Sequence, residues 1–188
     1  MERIRLQVAY DGTEYCGWQI QTEDRTIEGE LTKAVAEICG RSPSDMKVTG
    51  ASRTDSGVHA VGQVAHVDLP VQRGDWELIS GLNGLTDRDL CVVRAERADD
   101  EFHARYDAGG KLYRYDIWNH RFAHPLRDDH TWHRYDDLDL ERMRRAAALM
   151  IGTHDFEAFR ASDGQSPTTE RTIDSIERAA VRPRQSPP

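Results

Sequence analysis

The stretch Arg53-Thr54-Asp55-Ser56-Gly57-Val58-His59-Ala60 gathers a cation, a hydroxyl, a carboxylate and a glycine within eight residues. A carboxylate fixed in such a bend can serve as a nucleophile or as a general base. It must be ionised to do either, and a guanidinium two residues away favours that form. Taken alone, Asp55-Ser56-Gly57 also has the composition of a plain turn, so the residue types leave both readings open. His59, four residues after Asp55, invites an acid–base role; a structural hydrogen bond is the reading expected here, and His103 is read the same way.

The elements around this stretch place it between strands. Ile4, Leu6, Val8 and Tyr10 alternate with polar residues at strand spacing, and Asp11-Gly12 supplies a turn. Ile27, Leu31, Ala34, Val35 and Ile38 recur at helical spacing, with Thr26 as N-cap and Gly40 as stop. A short strand is expected over 47–50, another over 61–69, a helix capped by Asp75 and carrying Trp76, Ile79 and Leu82, and a strand over 90–97. The order β-α-β-β-α-β is the ferredoxin-like arrangement, in an α+β protein. The chemistry-bearing residues thus fall in a loop held by rigid elements, where sites usually form.

A polar stretch, Ala98 to Glu101, marks the expected boundary of a first domain, 1–101. A second half, 102–178, opens with a strand over 110–118 whose Tyr113, Tyr115 and Ile117 share one face. A helix over 138–151 follows, with Leu140, Met143, Ala147, Met150 and Ile151 on its stripe and Gly152 as stop, and a last strand is expected from Thr172 to Val181. Residues 179–188, rich in Pro and Arg, have the composition of a disordered tail.

The chain carries 25 Lys and Arg against 33 Asp and Glu, a net charge of −8. That total disfavours a nucleic-acid partner, but phosphate binding depends on local charge. Residues 102–127 hold Arg105, Lys111, Arg114, Arg121 and Arg127 against only Asp107 and Asp116; a basic strip and a mixed solvated surface both fit. Cys16, Cys39 and Cys91 lie far apart and form no C-x-x-C pair, so no metal site is expected and the three are read as small apolar fillers. The sequence shows no membrane-length apolar run and no signal-peptide core, which makes a cytoplasmic location the default.

Several segments agree, in order, with one family. Arg53-Thr54-Asp55-Ser56-Gly57-Val58-His59 resembles the R-T-D-x-G-V-H signature of the TruA-like tRNA pseudouridine synthases. Tyr10-Asp11-Gly12 and Gly17-Trp18-Gln19 resemble the family's opening Y-D-G…G-W-Q, and Gly62-Gln63-Val64 its G-Q-V. Phe102-His103-Ala104-Arg105 and Tyr113-Arg114-Tyr115 resemble F-H-A-R…Y-R-Y, and His154-Asp155-Phe156, Phe159-Arg160 and Arg171 a later D-F…F-R…R block. The resemblance covers residues 3 to about 177.

It implies a pseudouridine synthase fold built from two ferredoxin-like (RRM-like) halves. It also implies an isomerase that breaks the C1′–N1 bond of uridine and rebuilds the link through C5, at positions 38 to 40 of the tRNA anticodon stem-loop. By resemblance Asp55 is catalytic, Tyr113 lies against the uracil ring, and Arg53 fills the place of the extruded base. Arg105, Lys111 and Arg114 are expected RNA contacts. The chemistry needs no cofactor and no metal, and the family implies tRNA as partner and a homodimer. The family continues beyond the strand near residue 176 into a further strand and a helical segment that supplies a cleft arginine, whereas Arg182 and Arg184 sit in the Pro-rich tail. The second half is therefore expected to be incomplete, and a catalytically impaired RNA-binding relative is the alternative.

Overall fold

The computed structural model describes residues 1–70, 72–160 and 168–177. It separates into two compact units, Met1–Tyr113 and the residues from Arg114 onward. The protein is a mixed α+β structure.

The first unit runs β1 (Glu2–Tyr10), α1 (Ile27–Cys39), β2 (Thr49–Gly50), β3 (Ala60–Leu69), α2 (Asp75–Leu85) and β4 (Leu90–Arg97). Its four strands form one antiparallel sheet in the order β2-β3-β1-β4. The even-numbered residues of β1, from Ile4 to Tyr10, are all buried and face Ala65, Val67 and Leu69 of β3 within one core. In β4 the buried positions run Leu90, Val92 and then Ala95, a change of parity. The register against β1 shifts between Gln7 and Val8, and such a bulge returns side chains to the core face after one extra residue.

Helix α1 contributes Ile27, Leu31, Ala34 and Val35 to the core. The Thr26 hydroxyl accepts the Gly29 N–H, and Gly40 takes the left-handed conformation with its N–H on the Ala36 and Glu37 carbonyls. Helix α2 departs from the sequence expectation. Its N-cap is Gly74, Asp75 is its first residue, and the buried pair is Leu78 and Leu82. Trp76 is 80% exposed, because positions 78 and 82 share a face one turn apart that residue 76 does not.

Ala104 is buried, and its N–H donates to Nδ1 of His66 on β3 at 3.1 Å. This bond, with Arg3 Nη1 donating to the Asp100 and Phe102 carbonyls, fastens the segment after β4 to the sheet. Desolvation and the neighbouring Arg3 hold the His66 pKa below its ordinary value, so the ring is neutral and its Nδ1 free to accept.

The strand expected over 110–118 is not formed. Residues 108–116 are irregular, and Leu112, Tyr113 and Tyr115 are exposed. Their alternation offers an apolar face, but a strand requires a neighbour for its ladder. Only Ile117–Asn119 (β5) finds one, a parallel pairing with Trp132–Arg134 (β6). Helix α3 spans Leu140–Ala148, shorter at both ends than expected. The Asp139 carboxylate takes the Glu141 and Arg142 N–H groups and sets the start. At the other end, Leu149 and Met150 bond three residues back, which tightens the final turn and stops the helix before Gly152. Strands Gly152–Asp155 (β7) and Glu170–Ile173 (β8) then pair antiparallel. The last strand therefore lies earlier than Thr172–Val181, and Ser175 to Glu177 take no strand structure. The expected tail, with Arg182 and Arg184, lies outside the described residues.

The reading of the cysteines also needs correcting. Cys39 is half-buried against the core, but Cys16 and Cys91 are exposed. Cys91 alternates with Leu90 and Val92 and so points to the opposite face of β4. Among the described residues no helix is long and apolar enough to cross a membrane.

Candidate active site

Residues 51–59 connect β2 to β3, and the segment 10–18 that follows β1 clamps them. Hydrogen bonds tie the two together at several points. The Trp18 N–H donates to the Thr54 carbonyl at 2.9 Å, and the Gly57 N–H to the Tyr15 carbonyl at 3.3 Å. Ser56 Oγ donates to the same Tyr15 carbonyl, and the Tyr10 hydroxyl shares a 2.9 Å bond with Thr54 Oγ1. Burial is the main influence raising the Tyr10 pKa, so the phenol stays protonated.

The close approach explains two glycines of the opening motif. A Cβ on Gly12 would stand 2.1 Å from the Val58 carbonyl oxygen. One on Gly17 would stand 2.5 Å from that of Thr54, and Gly17 has φ +85°. The loop bears its own bend: the Val58 N–H returns to the Asp55 carbonyl at 3.2 Å, with Gly57 at φ +77°. The other side is held by the sheet, where the Ala51 N–H donates to the Val64 carbonyl and Gln63 Nε2 to that of Ser52.

A second layer supports the clamp. The Ile27 and Glu28 N–H groups, which a helix start leaves without intrahelical partners, donate to the Gly17 and Trp18 carbonyls. The Tyr15 hydroxyl donates to Asp89 Oδ1 at 2.7 Å, and Arg25 donates to Asp89 Oδ2 at 2.7 Å while its guanidinium lies 4.1 Å from the Tyr15 ring centre. Arg25 holds the Asp89 carboxyl below its ordinary range, and burial with Asp89 beside it pushes the Tyr15 phenol up. Tyr15 belongs to the segment singled out in the sequence. Arg25 and Asp89 carry no sequence signal, because their roles arise only where the chain returns after β3 and α2.

The expected site residues fall as follows. Asp55 is exposed in the clamped bend, and Arg53, two residues before it, is exposed as well. Arg53 and Arg105 line a common cavity of about 290 Å³, with Trp18, Gly50, His103 and Tyr106 among the other lining groups. Neither Asp55 nor Tyr113 lines that cavity. Tyr113 is 67% exposed in the irregular stretch after residue 107. Lys111 is exposed in the same stretch, and Arg114, in the second unit, pairs with Asp116 at 3.0 Å. His59 Nδ1 takes the Gly12 N–H at 3.1 Å and lies 3.0 Å from Asp11, tying the end of the loop to the turn after β1. His103 Nδ1 accepts the Arg105 and Tyr106 N–H groups and shapes the turn that presents Arg105.

The sequence matches the family model described as tRNA pseudouridine synthase over residues 6–107 and 146–187. The chain is 42% identical over 176 residues to the tRNA pseudouridine synthase A of Limosilactobacillus reuteri (strain DSM 20016), covering 94% of this chain and 69% of that protein. It belongs to the TruA-like tRNA pseudouridine synthase family. The enzyme of the same name from Leuconostoc citreum (strain KM20) is 41% identical over 182 residues, covering 94% of this chain and 70% of the relative. That from Solidesulfovibrio magneticus is 42% identical over 186 residues, covering 96% and 66%. The first block of the family match takes in the whole clamp, the Arg53–His59 bend and the Phe102–Arg105 segment.

Proposed function

We propose that this chain isomerises uridine to pseudouridine in tRNA, at positions 38 to 40 of the anticodon stem-loop, with Asp55 as the catalytic carboxylate. The observation that carries the reading is the bend holding Asp55. Two separate family segments, 10–18 and 53–59, are locked together by backbone bonds and by glycines with no room for a side chain, and the Asp55 carboxylate in the bend stays exposed. Such effort in fixing a loop suits a group that must meet a sugar C1′ or a uracil ring in a defined pose. Asp55 can attack C1′, add to the base, or remove a sugar proton; each route uses the ionised form.

Arg53 takes the place of the base that is turned out, its planar guanidinium stacking where the uracil stood. Its position on the wall of a cavity beside the bend supports this role. Tyr113 closes over the uracil ring, and Arg105, Lys111 and Arg114 meet RNA phosphates; exposure of all four leaves them accessible to a large ligand. Residues 1–101 form a ferredoxin-like half, a reading supported by the strand order β2-β3-β1-β4, and 102–178 belong to a second half of the same kind. The chain works as a homodimer, as the family resemblance implies, with the cytoplasm as the default location read from its sequence.

The test is incubation with an unmodified tRNA transcript followed by mapping of pseudouridine at nucleotide resolution. Product confined to positions 38 to 40 is expected. Product elsewhere in the tRNA contradicts the positional assignment. Tight binding with no product contradicts the isomerase reading and identifies an RNA-binding relative.

A further inference from the structure

The cavity beside the bend carries more than the two arginines expected from sequence. Its wall brings Lys47, just before β2, together with Arg53 and Arg105, three cations against one acid, Glu28. The Glu28 carboxylate is partly engaged, since its Oε2 accepts the Ile20 N–H at 3.2 Å. The floor is the Trp18 indole lying against Gly50, where an added Cβ would stand 2.5 Å from the ring. On the rim, the Tyr106 ring is 78% exposed and stacks on His103 at 4.2 Å with 32° between planes. On a chain of net charge −8 this concentration of positive charge is local and directed. The volume, about 290 Å³, suits one small polar unit rather than a folded strand.

We propose that this cavity is a nucleotide subsite for the RNA strand next to the target uridine. Lys47 and Arg105 hold one phosphodiester, and the adjoining base stacks on Tyr106, which His103 backs. Arg53 borders both the subsite and the Asp55 bend, so a phosphate seated here fixes the strand beside the residue that replaces the extruded base. Ion pairing and aromatic stacking are the two components by which proteins track single-stranded nucleic acid. The proposal deepens the reading given above and rests on it for the identity of the ligand.

The test is the salt dependence of binding of unmodified tRNA to the full chain, since each phosphate contact contributes about 0.7–0.9 to the slope of log K against log salt. The Lys47→Gln/Arg105→Gln double variant should lower that slope by about 1 and weaken binding roughly tenfold at ~0.1 M salt. Tyr106→Ala should weaken binding with no change of slope, because stacking releases no counterion. Glu28→Gln, which removes the negative charge and keeps an acceptor for Ile20, should bind tighter. Lys33→Gln, outside the cavity, is the control and should match the parent. A double variant with the parental slope, or a Glu28→Gln chain that binds more weakly, overturns the subsite. Pseudouridine formation separates the two readings. A chain with a variant-sensitive slope but no product sinks the isomerase and supports the subsite. A productive chain whose slope ignores Lys47 and Arg105 sinks the subsite alone. A parent chain that binds no tRNA overturns both.

Discussion

Replacing Gly17 by alanine tests most severely the clamp on the bend that carries Asp55, the carboxylate proposed to be catalytic. The residue has φ +85°, and a side chain in the left-handed region costs about 1–2 kcal/mol. The new Cβ would also meet the Thr54 carbonyl oxygen at 2.5 Å, when ordinary contact begins near 3.4 Å, so the bend must retreat by about 0.9 Å. That retreat stretches the Trp18 N–H bond to the same oxygen, 2.9 Å in the parent, a further loss of roughly 0.5–1.5 kcal/mol. Together these predict a loss of about 1.5–3.5 kcal/mol in stability. A displacement near 1 Å at a catalytic group costs on the order of 10²-fold in rate, and Asp55 follows Thr54 directly. Urea unfolding gives the first quantity. Tritium release from tRNA labelled at uridine C5 gives the second, because C5 loses its hydrogen when it bonds to C1′. Gly40→Ala is the control: φ there is +60° with open space around it, so it should lose only the backbone part and keep full activity. A Gly17→Ala protein within about 0.5 kcal/mol of the parent, with parental turnover, refutes the packing argument.

Other outcomes follow from the same contacts. Asp89 and Asp68 are held below their ordinary pKa by Arg25 and Arg3 respectively. A depressed carboxyl contributes stability that is fully present above its unfolded value near 4 and lost as pH falls through its folded value. The melting temperature should therefore drop as pH goes from about 5 toward 2, and Arg25→Gln should flatten that drop; an unchanged profile in the variant contradicts the pairing. Leu82, fully buried in α2, should lose about 2–5 kcal/mol on truncation to Ala, measured by urea unfolding, and less than 1 kcal/mol would contradict its place in the core. A thiol reagent on the native protein should modify the exposed Cys16 and Cys91 before the half-buried Cys39; the reverse order contradicts their exposure.

Much of the first unit is legible in the residue pattern alone. The alternation of Ile4, Leu6, Val8 and Tyr10, the caps at Thr26 and Gly40, and the strand over 90–97 are local signals that the fold keeps. Local signals mislead where tertiary partners decide the outcome. The apolar alternation of Tyr113, Tyr115 and Ile117 announces a strand, yet only the residues from Ile117 on find a neighbour. Trp76 and Cys91 read as core by residue type, but their positions on the helix and strand turn them outward. The parallel pairing of β5 and β6 joins segments of three residues each, too short to show periodicity.

The site divides in the same way. The residue types at 53–59 show where a carboxylate stands, and the glycines at 12 and 17 are visible as motif letters. What they are for, contact with the Val58 and Thr54 carbonyls, depends on two segments more than 35 residues apart in the chain meeting in space. Arg25, Lys47 and Asp89 carry no signal at all, since each matters only through partners distant in sequence.

Single-turnover tritium release from C5-labelled tRNA with Asp55→Asn asks directly whether the Asp55 carboxylate carries the proposed isomerisation. The substitution removes the charge, keeps the size, and sits at an exposed position, so the melting temperature and tRNA affinity should stay close to those of the parent. No release above background is expected. Release at the parental rate from a folded, tRNA-bound Asp55→Asn protein would contradict that role.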